Sequence, residues 1–235
     1  MINRFSRKQI VLGVSILVLL GLATYGLWQK EGKRFFDPYY GLVTSLNVQM
    51  DDSTRVLIQQ KLATAQASLA AQQSGTDVDT QLYLVIAENE KLLGDLIASR
   101  QMYETYLGAI PTSYAGWNSY AKLLELMKDL PNAEIAHKKT IEVLAVEEYY
   151  RDYVDFLQAN YPDRRADVKV LLDESYTKFL QTPWTMFALG DWYFETGDCS
   201  QGKAHYDVAI ALSPSDAVNL KKDQQEKLAE CEQPR

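Results

Sequence analysis

Residues 182–216 read TPWTMFALGDWYFETGDCSQGKAHYDVAIALSPSD, and the spacing within them decides the fold. Leu189, Gly190 and Tyr193 precede a turn at Gly197, and Gly202, Tyr206 and Ala209 follow it before Pro214. This pattern reads as two amphipathic helical stretches divided by a glycine and stopped by a proline. Toward the N-terminus, the same frame meets Val154 with Leu157 and Ala166, then Trp117, Tyr120, Ala121, Leu124 and Ala133. It first appears as Tyr83, Ile86, Ala87, Gly94, Ser99, Tyr103 and Pro111. The steps from Ala87 to Ala121, Val154 and Gly190 are 34, 33 and 36 residues. A period in this range marks hairpins that cannot bury their apolar faces alone and do so by stacking.

The residue types follow from close helix approach. Where two helices cross, the contact residue must be small, as Ala87, Ala121 and Gly190 are, and aromatic neighbours fill the space around the crossing. Val154 breaks that rule in the third unit, which also has Tyr161-Pro162 at its turn and two extra residues before the next unit. Gly94 and Gly197 suit left-handed turns after the first helix of their units.

The stretch 182–216, with L-G-x-x-Y, a turn, then small, aromatic and small residues and a proline, closely resembles a tetratricopeptide repeat (TPR). The resemblance implies an all-α chain, a solenoid of about four helix-turn-helix repeats over residues 80–216. It also implies that the first helices of successive units line a concave surface receiving a peptide or a partner's extended segment. Carried over by frame, that wall holds Asn118 and Lys122, then Arg151 and Asp155, then Trp184, Phe187, Asp191 and Phe194. Two readings of the aromatics stay open: an exposed apolar anchor beside Arg151 and Lys122, or a cluster buried against the closing helix. Only Asn118, Lys122 and Arg151 echo the Lys/Asn/Arg set with which some family members seize acidic carboxyl termini, so that activity is not assigned.

Flanking helices complete the array. Asp51, Asp52 and Ser53 cap a helix over 54–73, within a flanking segment 51–79, whose Ile58, Leu62, Ala65 and Leu69 form one apolar stripe covering the first repeat. Residues 217–235 hold a thinly apolar closing helix, with Ala217, Leu220 and Leu228. Cys199 would begin the second helix of the last unit and Cys231 end the antiparallel helix after it, so the two ends meet. Outside the cytoplasm they would form a disulfide; otherwise they are two structural thiols.

At the other end, Gln9 to Gln29 are 21 uncharged residues, eleven of them Leu, Ile or Val, enough for a helix of roughly 31 Å that matches a bilayer core. Tyr25, Trp28, Lys30, Lys33 and Arg34 supply an interfacial stop. The region after Leu20 offers no A-x-A cleavage site, so residues 1–30 read as a retained transmembrane anchor and 31–50 as a juxtamembrane linker. Basic residues tie on the two flanks. The free amino terminus and Glu31 tip the expectation to a cytoplasmic N-terminus and an extracytoplasmic solenoid.

Beyond residue 34, 18 basic residues face 30 acidic ones, a balance that repels phosphate backbones and excludes nucleic acid as a partner. No glycine-rich phosphate loop, GxSxG or HExxH occurs. His137 and His205 lie on different units without cysteine or carboxylate at metal spacing, so no metal, cofactor or catalytic residue is expected. The sequence therefore reads as a membrane-anchored scaffold or adaptor for protein partners. The alternative is a structural subunit that uses its anchor and convex face.

Overall fold

In the computed structural model, residues 38–72 and 78–233 are described. The expected anchor and residues 31–37 of the expected linker lie outside these residues. Among the described residues no helix is long and apolar enough to cross a membrane. The chain divides into two compact units at Thr44 and Ser45. Of the first, residues 38–44 form a turn in which the Leu42 N–H donates to the Tyr39 carbonyl at 3.0 Å.

The second unit is all-helical among the described residues. Its elements are α1 (Asp52–Gln72), α2 (Gln81–Leu93), α3 (Leu96–Ala109), α4 (Tyr114–Met127) and α5 (Leu130–Val143), followed by α6 (Glu147–Asn160), α7 (Arg165–Phe179), α8 (Pro183–Thr196), α9 (Cys199–Leu212) and α10 (Ala217–Cys231). Each helix packs on the next, so α2/α3, α4/α5, α6/α7 and α8/α9 are four hairpins in series, with α1 before them and α10 after. The helix starts are chemically marked. Asp95, Ser113, Thr182 and Asp198 each accept the N–H three residues on, at 2.9–3.1 Å, and Pro131 and Pro183 occupy first-turn positions.

The first hairpin turns at Gly94, where φ is +93° and the N–H groups of Gly94 and Asp95 return to the Lys91 and Glu90 carbonyls at 3.0 Å. Segment 45–50 lies against that turn. The Leu46 N–H donates to the Gly94 carbonyl at 2.9 Å, and the Leu46 carbonyl and Val48 side chain occupy the space a Cβ on Gly94 would need. The stretch assigned to a linker from sequence thus splits, and residues 45–50 pack with the helical unit. In the second hairpin Lys128 takes the same left-handed turn, φ +63°, without being glycine. The following Asp129 fixes it, buried and held by Arg100 of the preceding hairpin at 2.8 Å.

The crossing residues are buried: Ala87 and Ala121 are fully inaccessible, Val154 nearly so, and Gly190 lies against Tyr206. The corresponding second-helix positions are Ser99, Ala133, Val168 and Gly202, each buried three residues into its helix, and the Gly202 carbonyl lies 3.1 Å from where a Cβ on Gly190 would stand. Val168 corrects the frame read from sequence, because Ala166 is exposed. The turn Tyr161–Arg164 is longer than its counterparts, so α7 starts late and presents Val168, Leu172 and Ser175 where the last unit presents Gly202, Tyr206 and Ala209. The third hairpin therefore packs β-branched Val154 and Val168 at a crossing made elsewhere from small residues.

Carboxylates tie neighbouring hairpins together. Glu134 on α5 accepts both terminal nitrogens of Arg164 at 2.7 and 2.9 Å and the Tyr153 hydroxyl at 3.1 Å. The Arg164 guanidinium, helped by Lys138, holds the Glu134 carboxyl down at about 2. Because its folded value lies below its unfolded one, Glu134 contributes stability above the ordinary glutamate range and loses it as pH falls through about 2. Glu134→Gln is expected to cost about 1–2 kcal/mol at pH 7 after solvent screening, and urea titrations should show that difference shrinking below about pH 4.

Candidate functional site

The first helices α2, α4, α6 and α8 carry the residues expected to bind a partner, and side chains join them across units. Lys122 on α4 reaches Asp152 on α6 at 2.9 Å. Arg151, one residue earlier on α6, is exposed, and its guanidinium stacks 5.3 Å from the Trp184 ring centre on α8. Helical geometry explains the division of labour: adjacent residues project about 100° apart, so Asp152 turns toward α4 while Arg151 reaches α8. The Tyr114 and Tyr149 rings, 5.9 Å apart, continue the link between α4 and α6. Asn118 is half-buried, and its side-chain oxygen is buried without a hydrogen-bond partner among the described residues.

Asp155 lies one turn beyond Arg151 and is exposed. Desolvation raises its carboxyl above the usual range, the nearby Asp152 adds to the rise, and Arg151 opposes it. Glu88 on α2 moves the other way. Burial would raise it, but hydrogen bonds from Lys91 and the Tyr103 hydroxyl outweigh burial and lower it. The face thus carries mostly paired charges, with the Arg151–Trp184 plate as its exposed cation and aromatic surface.

The last hairpin treats its four candidate residues differently. Trp184 is half-buried under Arg151, and Phe187 is half-buried against the Tyr206 ring at 5.2 Å. Asp191 accepts the Tyr206 hydroxyl at 2.6 Å and is ion-paired with Lys227 of α10 at 2.8 Å. Phe194 is a core residue rather than part of an exposed wall: it is 4% accessible and packs where a side chain on Gly202 would otherwise stand. The glycine on α9 creates that slot, and a phenylalanine one turn beyond Gly190 fills it.

Both histidines are engaged within the fold. His137 is buried, stacked on Tyr153 at 5.6 Å, with Nε2 2.9 Å from Glu125. His205 stacks on Tyr193 at 5.0 Å, and its Nδ1 lies 2.9 Å from the Gln201 carbonyl. Cys199 and Cys231 are joined in a disulfide with Cα atoms 5.8 Å apart.

Reading the sequence for a first-helix wall missed a cleft on another side. It has a volume of about 740 Å³ between the end of α5, the start of α6 and α7, with Ile141, Ala145, Tyr150 and Val170 as its apolar lining. Val170 is 56% exposed. The one sequence signal for it was the irregular third unit, whose late-starting second helix forms one wall.

No protein-family model and no curated protein matches this chain. Among solved structures, MamA superimposes with a TM-score of 0.54 at 10% identity, covering 72% of this chain and 99% of that one. BtubC (BKLC) from P. vanneervenii gives 0.51 at 11% identity, covering 74% and 88%. A thermophilic TPR protein from Thermus thermophilus gives 0.47 at 16% identity, covering 75% and 96%. At such identities the first two likenesses speak to fold alone. Together with the four hairpins in series, they give the helical unit the architecture of a TPR-like α-solenoid.

Proposed function

We propose that the protein is a membrane-anchored scaffold that holds an extended segment of a partner protein along the face of α2, α4, α6 and α8. The observation that carries this reading is Arg151 stacked on Trp184 across two units. A cation held over an aromatic ring offers a platform for an apolar side chain together with a fixed positive group for a carboxylate. Lys122, half-exposed on the neighbouring helix and paired with Asp152, adds a second basic group to this face. The preferred segment accordingly carries one apolar and one acidic group.

Residues 1–30 would supply the anchor, with the solenoid outside the cytoplasm. The Cys199–Cys231 disulfide supports that side of the membrane, since such bonds persist in oxidising compartments. Crosslinking with mass spectrometry in native membranes identifies the partner. Arg151→Glu and Trp184→Ala are then each expected to weaken its binding by about 2 kcal/mol, roughly thirtyfold, with the helical circular dichroism unchanged. Undiminished binding by both folded variants refutes the reading.

The cleft between α5 and α7 favours a second reading, in which the chain is a structural subunit joined to a membrane complex through its anchor and its second-helix face. Val170→Asp and deletion of residues 1–30 would then abolish association, and Arg151→Glu would leave it intact.

A further inference from the structure

Helix α10 is held by few contacts. Leu220 and Gln224 are its buried residues among those described, and Val218 is 82% exposed. Its polar ties are the Lys227–Asp191 ion pair and the Gln224 amide, which donates to Asp207 at 2.7 Å and to the Lys203 carbonyl at 3.1 Å. A 15-residue helix of this composition is marginal alone, so its docking leans on the covalent bond from Cys231 to Cys199.

That bond is accessible and chemically asymmetric. A cleft of about 390 Å³ opens onto Cys231, lined also by Arg165, Phe194, Glu195, Lys227 and Glu230. Cys199 is absent from that lining and is the first residue of α9, where the helix N-terminus stabilises a thiolate. Cys231 ends α10, where the helix carbonyls disfavour one.

We propose that Cys199–Cys231 is a thiol–disulfide exchange site for a dithiol reductant, and that its reduction releases α10 from the solenoid. The reductant's thiolate attacks Cys231 Sγ through the cleft. The S–S bond breaks, and its electron pair leaves on Cys199 Sγ, the better leaving group. The second thiol of the reductant then resolves the mixed disulfide, so the reductant is oxidised to its own disulfide and the protein ends with two thiols. Undocking of α10 takes Lys227 away from Asp191 and opens the last hairpin's end of the first-helix face. The proposal concerns the closing helix and stands whether or not that face binds a partner.

Two measurements on the full oxidised chain test it. Brief exposure to glutathione, an acid quench, alkylation and peptide mass analysis should place glutathione on Cys231 and the alkyl group on Cys199. Equal labelling, or glutathione chiefly on Cys199, overturns the direction of attack. Arg165→Glu should slow the reaction with this anionic thiol several-fold, and an unchanged rate counts against attack through the cleft. Hydrogen exchange after dithiothreitol should rise at least about tenfold over residues 217–231 while α2 to α9 keep their protection. Unchanged protection of α10 overturns release, and loss of protection spreading through α8 and α9 shows unfolding rather than a latch.

Discussion

Gly190→Leu lowers the unfolding free energy by about 3 kcal/mol, because the crossing of α8 and α9 has no room for a side chain. A Cβ at this position would stand 2.5 Å from Tyr206 Cδ2 and 3.1 Å from the Gly202 carbonyl oxygen. Neither neighbour can give way cheaply. Tyr206 is fully buried, packed between Phe187 and Phe194, with its hydroxyl bound to Asp191 at 2.6 Å. The carbonyl belongs to the α9 backbone, so relief requires the two helices to separate, which opens voids around both phenylalanines. Replacing a helical glycine recovers about 1 kcal/mol of backbone entropy, too little to offset this. Gly108→Ala is the control, since nothing lies within 4 Å of its Cβ position, and it should be neutral or slightly stabilising. Urea denaturation should show a lower midpoint for Gly190→Leu and an unchanged or slightly higher one for Gly108→Ala. A Gly190→Leu protein as stable as the parent would remove helix crossing as the basis of the repeat.

Replacing both Cys199 and Cys231 by alanine is expected to cost about 3–4 kcal/mol, from the chain-entropy relation for a loop closed over 32 residues. For a domain of this size that corresponds to a fall in Tm of roughly 6–16 °C. Most of the effect lies in the unfolded chain, which loses its constraint. The folded hairpins keep their contacts, because in a solenoid each unit touches only its neighbours. Thermal unfolding of the double variant beside the oxidised parent measures the loss. A fall well below this range would mean either that the unfolded chain keeps its two ends close without the bond or that α10 is already released in the folded chain that lacks it.

Local rules made much of this architecture legible. The spacing of Ala87, Ala121 and Gly190 carries the repeat period, Gly94 and Gly197 carry the turns, and the stripe Ile58, Ala65 and Leu69 identifies the face with which α1 covers the first hairpin. The turns and the stripe are readable because each depends on residues within a few helical turns, and the period because the same local pattern recurs along the chain. The third unit was harder. Its longer turn moves the buried register from Ala166 to Val168, and nothing in the local composition states where an inserted residue is absorbed.

The candidate face divides in the same way. Its frame follows from the resemblance to tetratricopeptide repeats, which implied one wall for Arg151, Trp184 and Phe194. Whether an aromatic residue lies open or turns inward depends on the slot its neighbour leaves, so Gly202 made Phe194 a core residue while Trp184 stayed under Arg151. Asp191 likewise reads as a wall residue until Lys227, 36 positions later, arrives to pair with it. The sequence by itself determined helical hairpins in series and the turns of the first, third and last, since propensity, capping and apolar period act within a single hairpin. Only the tertiary structure decided which charges neutralise each other, which rings are buried and that the two cysteines are bonded, because those outcomes require groups distant along the chain to compete for the same space.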